Sequence, residues 1–257
     1  MRPFREYLDA REANRKHFAA TYPYAESAFD TSFSAFAALG EQLRTGRDAT
    51  GKTHISLAPF FFIIQRQAAT AFDALSANQA YAAWVALRTG VESALIIGKW
   101  VDDKKNADIW AERFSNRKAY QNAYQGKALR SATLSRSADM QQALSAINDR
   151  FLHPNPDYYR RHLSSKDLPT GEILLELNFF DDEQAIAVGL LGMLHLNAVV
   201  QDSLAQLFAN LFVDTPRLNT GLNDLEKKGV DFRNKAGTHD PESESILVEI
   251  GLWPAAT

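Results

Sequence analysis

Residues 79–101 read QAYAAWVALRTGVESALIIGKWV, and the reading of this stretch decides the fold. It contains no proline and is apolar on nearly every helical face. A helix of that kind is covered by other elements on most sides, so it belongs in the middle of a domain. It nevertheless carries charge. At about 100° per residue, Arg88, Glu92 and Lys99 fall within a wedge of about 40°, with Tyr81 on the same line. One reading is a narrow solvated stripe with an i,i+4 ion pair. The other is a polar network inside a bundle, which must draw partners from other helices because buried charges need pairing. His153, Asn155 and His195 are the candidates to supply them.

The flanking segments are helical as well. Residues 2–20 predict a polar, charged helix, and Pro23 suits the first position of the next one. From there Phe29, Phe33, Phe36 and Leu43 recur at helical spacing to about residue 45. Pro59 opens a third helix, and Asn78 is the expected N-cap of the central one. Beyond residues 102–105 the pattern predicts a single helix over 107–127 and a weaker one over 135–152. Residues 153–171 are irregular, with Pro154, Pro156, Pro169 and Gly171, and 172–180 suit a short strand or a helix start. Asp181, Asp182 and Glu183 place acids where the dipole of a following long helix, to about residue 212, favours them. A short helix is expected over 216–228, and the tail is polar except for ILVEIGLW. Continuous βαβ alternation is missing, which excludes a doubly wound sheet. The expected fold is all-α: a multi-helix bundle of six to eight helices, with a short β-hairpin or strand near 157–180. Residues 1–215 are expected to form the bundle domain and 216–257 a short helix and C-terminal tail.

Composition bounds the function classes. With 257 residues, 46% of them apolar, the chain can bury the core of one large domain. A net charge of −3 excludes a uniformly basic nucleic-acid glove and leaves a local basic patch open. The absence of cysteine excludes disulfides, Cys-based zinc sites and thiol catalysis. The N-terminal MRPFREYLDAREANRK lacks the apolar core of a secretory signal. No run reaches the ~18 apolar residues of a spanning helix; the nearest, 185–200, is interrupted by His195 and Asn197. A cytoplasmic protein without a membrane partner is expected.

Three places could carry chemistry. Residues 46–53, GRDATGKT, match the phosphate-loop pattern G-x-x-x-x-G-K-[ST]. That motif works only between a buried strand and a helix beginning at the lysine, where backbone amides converge on phosphate. Here the lead-in FAALGEQLRT is amphipathic and helical, and HISLAPFF meets Pro59 soon after, so a loop between helices is the better reading. The second place is the Arg88–Glu92 pair with His153, Asn155 and His195, suited to a small polar or anionic ligand or a partner protein. No Glu-x-x-His and no His pair at i,i+4 supports a dimetal bundle site, so no metal or cofactor is expected.

The third is FRNKAGTHDP, residues 232–241, which resembles the R-x(4–6)-H signature of HEPN domains, with Asn234 following Arg233 and five residues before His239. That resemblance implies a homodimeric, metal-independent ribonuclease, with His239 transferring protons and Arg233 gripping phosphate oxygens. Two other Arg–His pairs share the spacing, Arg11/His17 and Arg47/His54, but neither has Asn after the arginine. Gly237 departs from the family pattern, in which a helix normally continues through the motif.

AAWVALRTGVESALIIGKWVDD followed by AERF, together with FLHPNPDYY, also resembles a family of bacterial all-helical proteins of unknown function. The likeness spans about residues 80–203 and rests on a buried R-x-x-x-E helix and a His-Pro loop. It implies a fold and a shared polar cluster of Arg88, Glu92 and His153, without an activity. The leading expectation is a binding module with a polar pocket. The ribonuclease and phosphate-loop nucleotide binding are the alternatives.

Overall fold

A computed structural model describes residues 3–152, 156, 162–213 and 248. It shows an all-α bundle with one small hairpin. Eight helices lie within the described residues: α1 (Pro3–Thr21), α2 (Pro23–Thr45), α3 (Ala58–Ser76), α4 (Ala80–Asp102), α5 (Lys105–Ala111), α6 (Arg117–Tyr124), α7 (Ser137–Ile147) and α8 (Glu183–Leu211). Two strands, β1 (Leu163–Asp167) and β2 (Ile173–Leu177), pair antiparallel with Leu163 opposite Leu177 and Asp167 opposite Ile173.

The stretch quoted first is α4, and it is the centre of the bundle. It packs along α3 and is covered further by α7, α8 and α5. Trp84, Leu87, Val91, Ala94, Leu95 and Ile97 are buried on it. Gly98 lets the chain after α6 come close: a Cβ there would lie 2.7 Å from Ser131 Cβ and 2.8 Å from Leu134 Cβ. The second core element is α8, with Ile186, Leu190, Met193, Val199, Leu204 and Phe208 buried. Both α4 and α8 are long and apolar enough, by length and composition, to cross a membrane, which corrects the expectation that no segment reaches that threshold. In the bundle, 67% of each such window is buried against the rest of the protein.

Two further expectations change. The helix predicted over 107–127 is two short helices, α5 and α6. Asn116 breaks it: its side chain accepts from Ala119 N (3.2 Å), satisfying an orphan amide at the start of α6. Asn78 does not cap α4. It sits at φ +56°, a left-handed conformation that asparagine tolerates, and closes the C-terminus of α3. The amide of Ala80, in the first turn of α4, instead donates to Asp181 Oδ2 (2.8 Å) from the segment before α8. Asp181 N returns a bond to Asn78 O (2.8 Å), so the α3–α4 corner is tied to the entry of α8. Asp182 is the true N-cap of α8, accepting from Ala185 N (2.7 Å).

Candidate binding site on the central helix

The polar wedge of α4 is half-buried. Arg88 Nη1 lies 3.0 Å from Glu92 Oε2, one turn along the helix, and the two side chains are 30% and 28% exposed. Arg88 Nε donates to Asn148 Oδ1 at 2.7 Å. Asn148 opens a π-helical turn, Asn148–Leu152, that continues α7. The wider turn carries Phe151 back over Trp84, with ring centroids 5.4 Å apart and planes at 16°. π-turns recur at functional sites because they re-aim side chains out of the regular helical register.

α6 adds a phenol. Burial raises the pKa of Tyr120, the Glu92 charge raises it further, and Arg113 and Arg88 oppose the rise. Tyr120 is therefore a neutral hydroxyl near neutral pH. Tyr124, stacked on Tyr120 at 5.2 Å, is pushed up to about 12, first by burial, against the lowering effect of the bond from Trp100. Its hydroxyl accepts from Trp100 Nε1 (3.1 Å) and donates to Asn106 O (2.6 Å). Asn106 Nδ2 donates to Lys99 O (2.7 Å), so the far end of the wedge is held by side chains of α5 and α6.

Sequence reasoning brought Arg88 and Glu92 together correctly, because i,i+4 spacing is local. Asn148 and Tyr120 gave no sequence signal. His195 lies half-buried on α8 between the buried Leu194 and Leu196. His153 and Asn155 lie outside the described residues, as do Arg233, Asn234 and His239. Among the described residues, no group of three or more His, Asp or Glu is placed to hold a metal ion.

The phosphate-loop match is the turn between α2 and α3. A helix leads into it where the motif requires a strand, and α3 begins at Ala58 rather than at Lys52. Several of its amides are already occupied, those of Asp48, Thr50, Gly51 and Lys52 among them. Asp48 Oδ1 accepts from Thr50 N (2.8 Å), Thr50 Oγ1 (2.6 Å) and Lys52 N (3.0 Å), and Oδ2 lies 3.0 Å from His54 Nε2. The internal carboxylate takes two of the loop amides, those of Thr50 and Lys52, that a bound phosphate would compete for. The Thr50 hydroxyl foremost, then the Lys52 amide, hold the Asp48 carboxyl well below the usual carboxylate range.

No family model, curated protein or solved structure matches the chain.

Proposed function

We propose that the protein is a binding module and that its site is the Arg88–Glu92–Asn148 cluster, completed by Tyr120. One observation carries the reading. Two of the three guanidinium nitrogens of Arg88 are fixed, Nε by Asn148 and Nη1 by Glu92. Nη2 has no protein partner among the described residues, and the side chain is 30% exposed. A guanidinium oriented by its own protein and left with one open edge is preorganised for an oxygen anion, which it grips with charge-assisted hydrogen bonds. The Tyr120 phenol, within electrostatic reach of Arg88 and Glu92, offers a neutral donor, and the Glu92 charge disfavours polyphosphates relative to ligands with a single anionic group. The ligand class is accordingly a small carboxylate or phosphate monoester, or a carboxylate presented by a partner protein.

Thermal shift against a panel of small carboxylates and phosphate monoesters tests this, because a ligand that binds only the native state raises Tm with concentration. At least one member should give a saturable rise that Arg88→Lys removes, since lysine cannot be held through two nitrogens while presenting a third. An undiminished rise in Arg88→Lys, or no rise with any member, defeats the proposal.

A further inference from the structure

The charge of this chain is unevenly distributed. Residues 113–138 contain Arg113, Arg117, Lys118, Lys127, Arg130 and Arg136 and not one Asp or Glu. The stretch therefore carries +6, while the remaining residues, with 22 basic and 31 acidic side chains, carry −9. The bias is local and lies on α6 and the segments beside it. α6 is in contact with α5, which precedes it, and with the 3-10 turn Gly126–Leu129, which follows it.

Three of the cations are uncommitted. Arg130 is held by Gln141 Oε1 (2.9 Å from Nη2), and Arg136 pairs with Asp139 (2.9 Å). Arg117, Lys118 and Lys127 are exposed and make no ion pair among the described residues. Arg113 serves a different purpose. Its guanidinium lies 3.7 Å from the Trp110 ring centroid and 4.4 Å from that of Phe114, and Nη1 donates to Trp110 O (3.0 Å). Trp110 in turn meets Phe60 edge-on at 5.2 Å and Trp100 at 6.0 Å. The guanidinium thus lies close to two rings, Trp110, which packs against the core aromatics, and Phe114, which is open to solvent. Phe114 is 86% exposed.

We propose that this surface binds single-stranded nucleic acid, a base stacking on Phe114 while Arg117, Lys118 and Lys127 neutralise phosphates. Binding of single strands without strict sequence preference combines these two ingredients: aromatic platforms for bases and cations along the backbone. The Arg113 guanidinium, 4.4 Å from the Phe114 ring centroid, adds cation–π attraction. An anionic membrane fits less well. Interfacial helices insert a broad apolar face, whereas Phe114 is the sole exposed large apolar side chain of this stretch, and Tyr120 and Tyr124 of α6 turn inward. An acidic peptide would use the cations but leave the exposed ring without a role. The proposal stands on residues other than those of the Arg88 site, so either can fail alone.

Fluorescence anisotropy with the full chain tests it, using labelled oligo-dT and oligo-rU of about 20 nucleotides, the length of a few single-strand site sizes, and a duplex of equal length. Saturable binding of a single strand is expected at low salt. With three phosphates neutralised, log Kd should rise with log salt at a slope of about 2. Phe114→Ala should weaken binding about tenfold through lost stacking. R117E/K118E/K127E should abolish it at unchanged Tm, because these side chains are exposed and make no ion pair among the described residues. Equal affinity for duplex, full affinity in Phe114→Ala, or binding retained in the triple variant overturns the proposal. So does binding to phosphatidylserine vesicles in the absence of oligonucleotide binding.

Discussion

Asp102, at the end of α4, gathers four donors onto one carboxylate. Ser131 Oγ, Ala132 N and Thr133 N donate at 2.9 Å, and Thr133 Oγ1 at 2.6 Å. Burial pushes its pKa up. The bonds from Thr133, Ala132 and Ser131 together outweigh that and hold it below the ordinary value. Asp102→Ala would remove the shared acceptor of two backbone amides and two hydroxyls, and hydrogen bonds to charged groups are worth about 1.5–3 kcal/mol. The substitution is therefore expected to cost about 2–3 kcal/mol in urea unfolding, while Asp102→Asn, which keeps one acceptor oxygen, should recover part of the loss. Loss of less than about 0.5 kcal/mol, the range of ordinary surface changes, would show that the loop is held by its packing alone. Asp102 and Arg88 also mark how much of the site could be read in advance. Arg88 and Glu92 are neighbours by helical spacing, so their pairing is local information. Asn148 is 60 residues from Arg88 in the chain, and nothing in an isolated asparagine says which helix it will face.

At the scale of elements, helix propensity and packing oppose each other at Gly98. Replacing a mid-helix glycine by alanine favours the helix by about 1 kcal/mol. Here the new methyl would meet Ser131 Cβ and Oγ at 2.7 Å and Leu134 Cβ at 2.8 Å. Those atoms are close to their backbone, and Ser131 Oγ is pinned by Asp102 and by Leu134 N (2.9 Å), so they cannot swing away. Overpacking costs about 1–3 kcal/mol, and packing should win: Gly98→Ala is expected to lower the unfolding midpoint. A rise would mean that the 131–134 segment yields easily. Most helices were legible as elements because apolar spacing, Pro23 and Pro59 are local signals. The break between α5 and α6 was not, since Asn116 competes with the helix only by capping the next one. The true partner of the first turn of α4 was hidden too, because Asp181 reaches Ala80 across 101 residues of sequence.

For the whole molecule, acid should unfold the protein through its bonded carboxylates. Asp48 and Asp102 both have folded-state pKa values below the usual carboxylate range. The unfolded chain, with ordinary aspartates titrating near ~3.9, then binds protons before the native state does. Their contribution is complete above that value and is lost as the pH falls through the lower, folded values. Tm is expected to be level from about pH 6 to 7 and to drop below about pH 4.5, more gently in Asp48→Asn than in the parent chain. An acid limb of equal steepness in that variant would remove Asp48 from the account.

Apolar periodicity by itself determined that the chain is an all-α bundle, that residues 79–101 lie at its centre and that Arg88 meets Glu92. Each of these follows from spacings shorter than two helical turns. Tertiary structure alone decided that Arg88 meets Asn148 and that Asp48 fills its own loop. It also decided that Asp181 caps a helix far from it in sequence. Such contacts depend on where distant segments cross, and crossing positions are set by the packing of the entire core rather than by any one stretch.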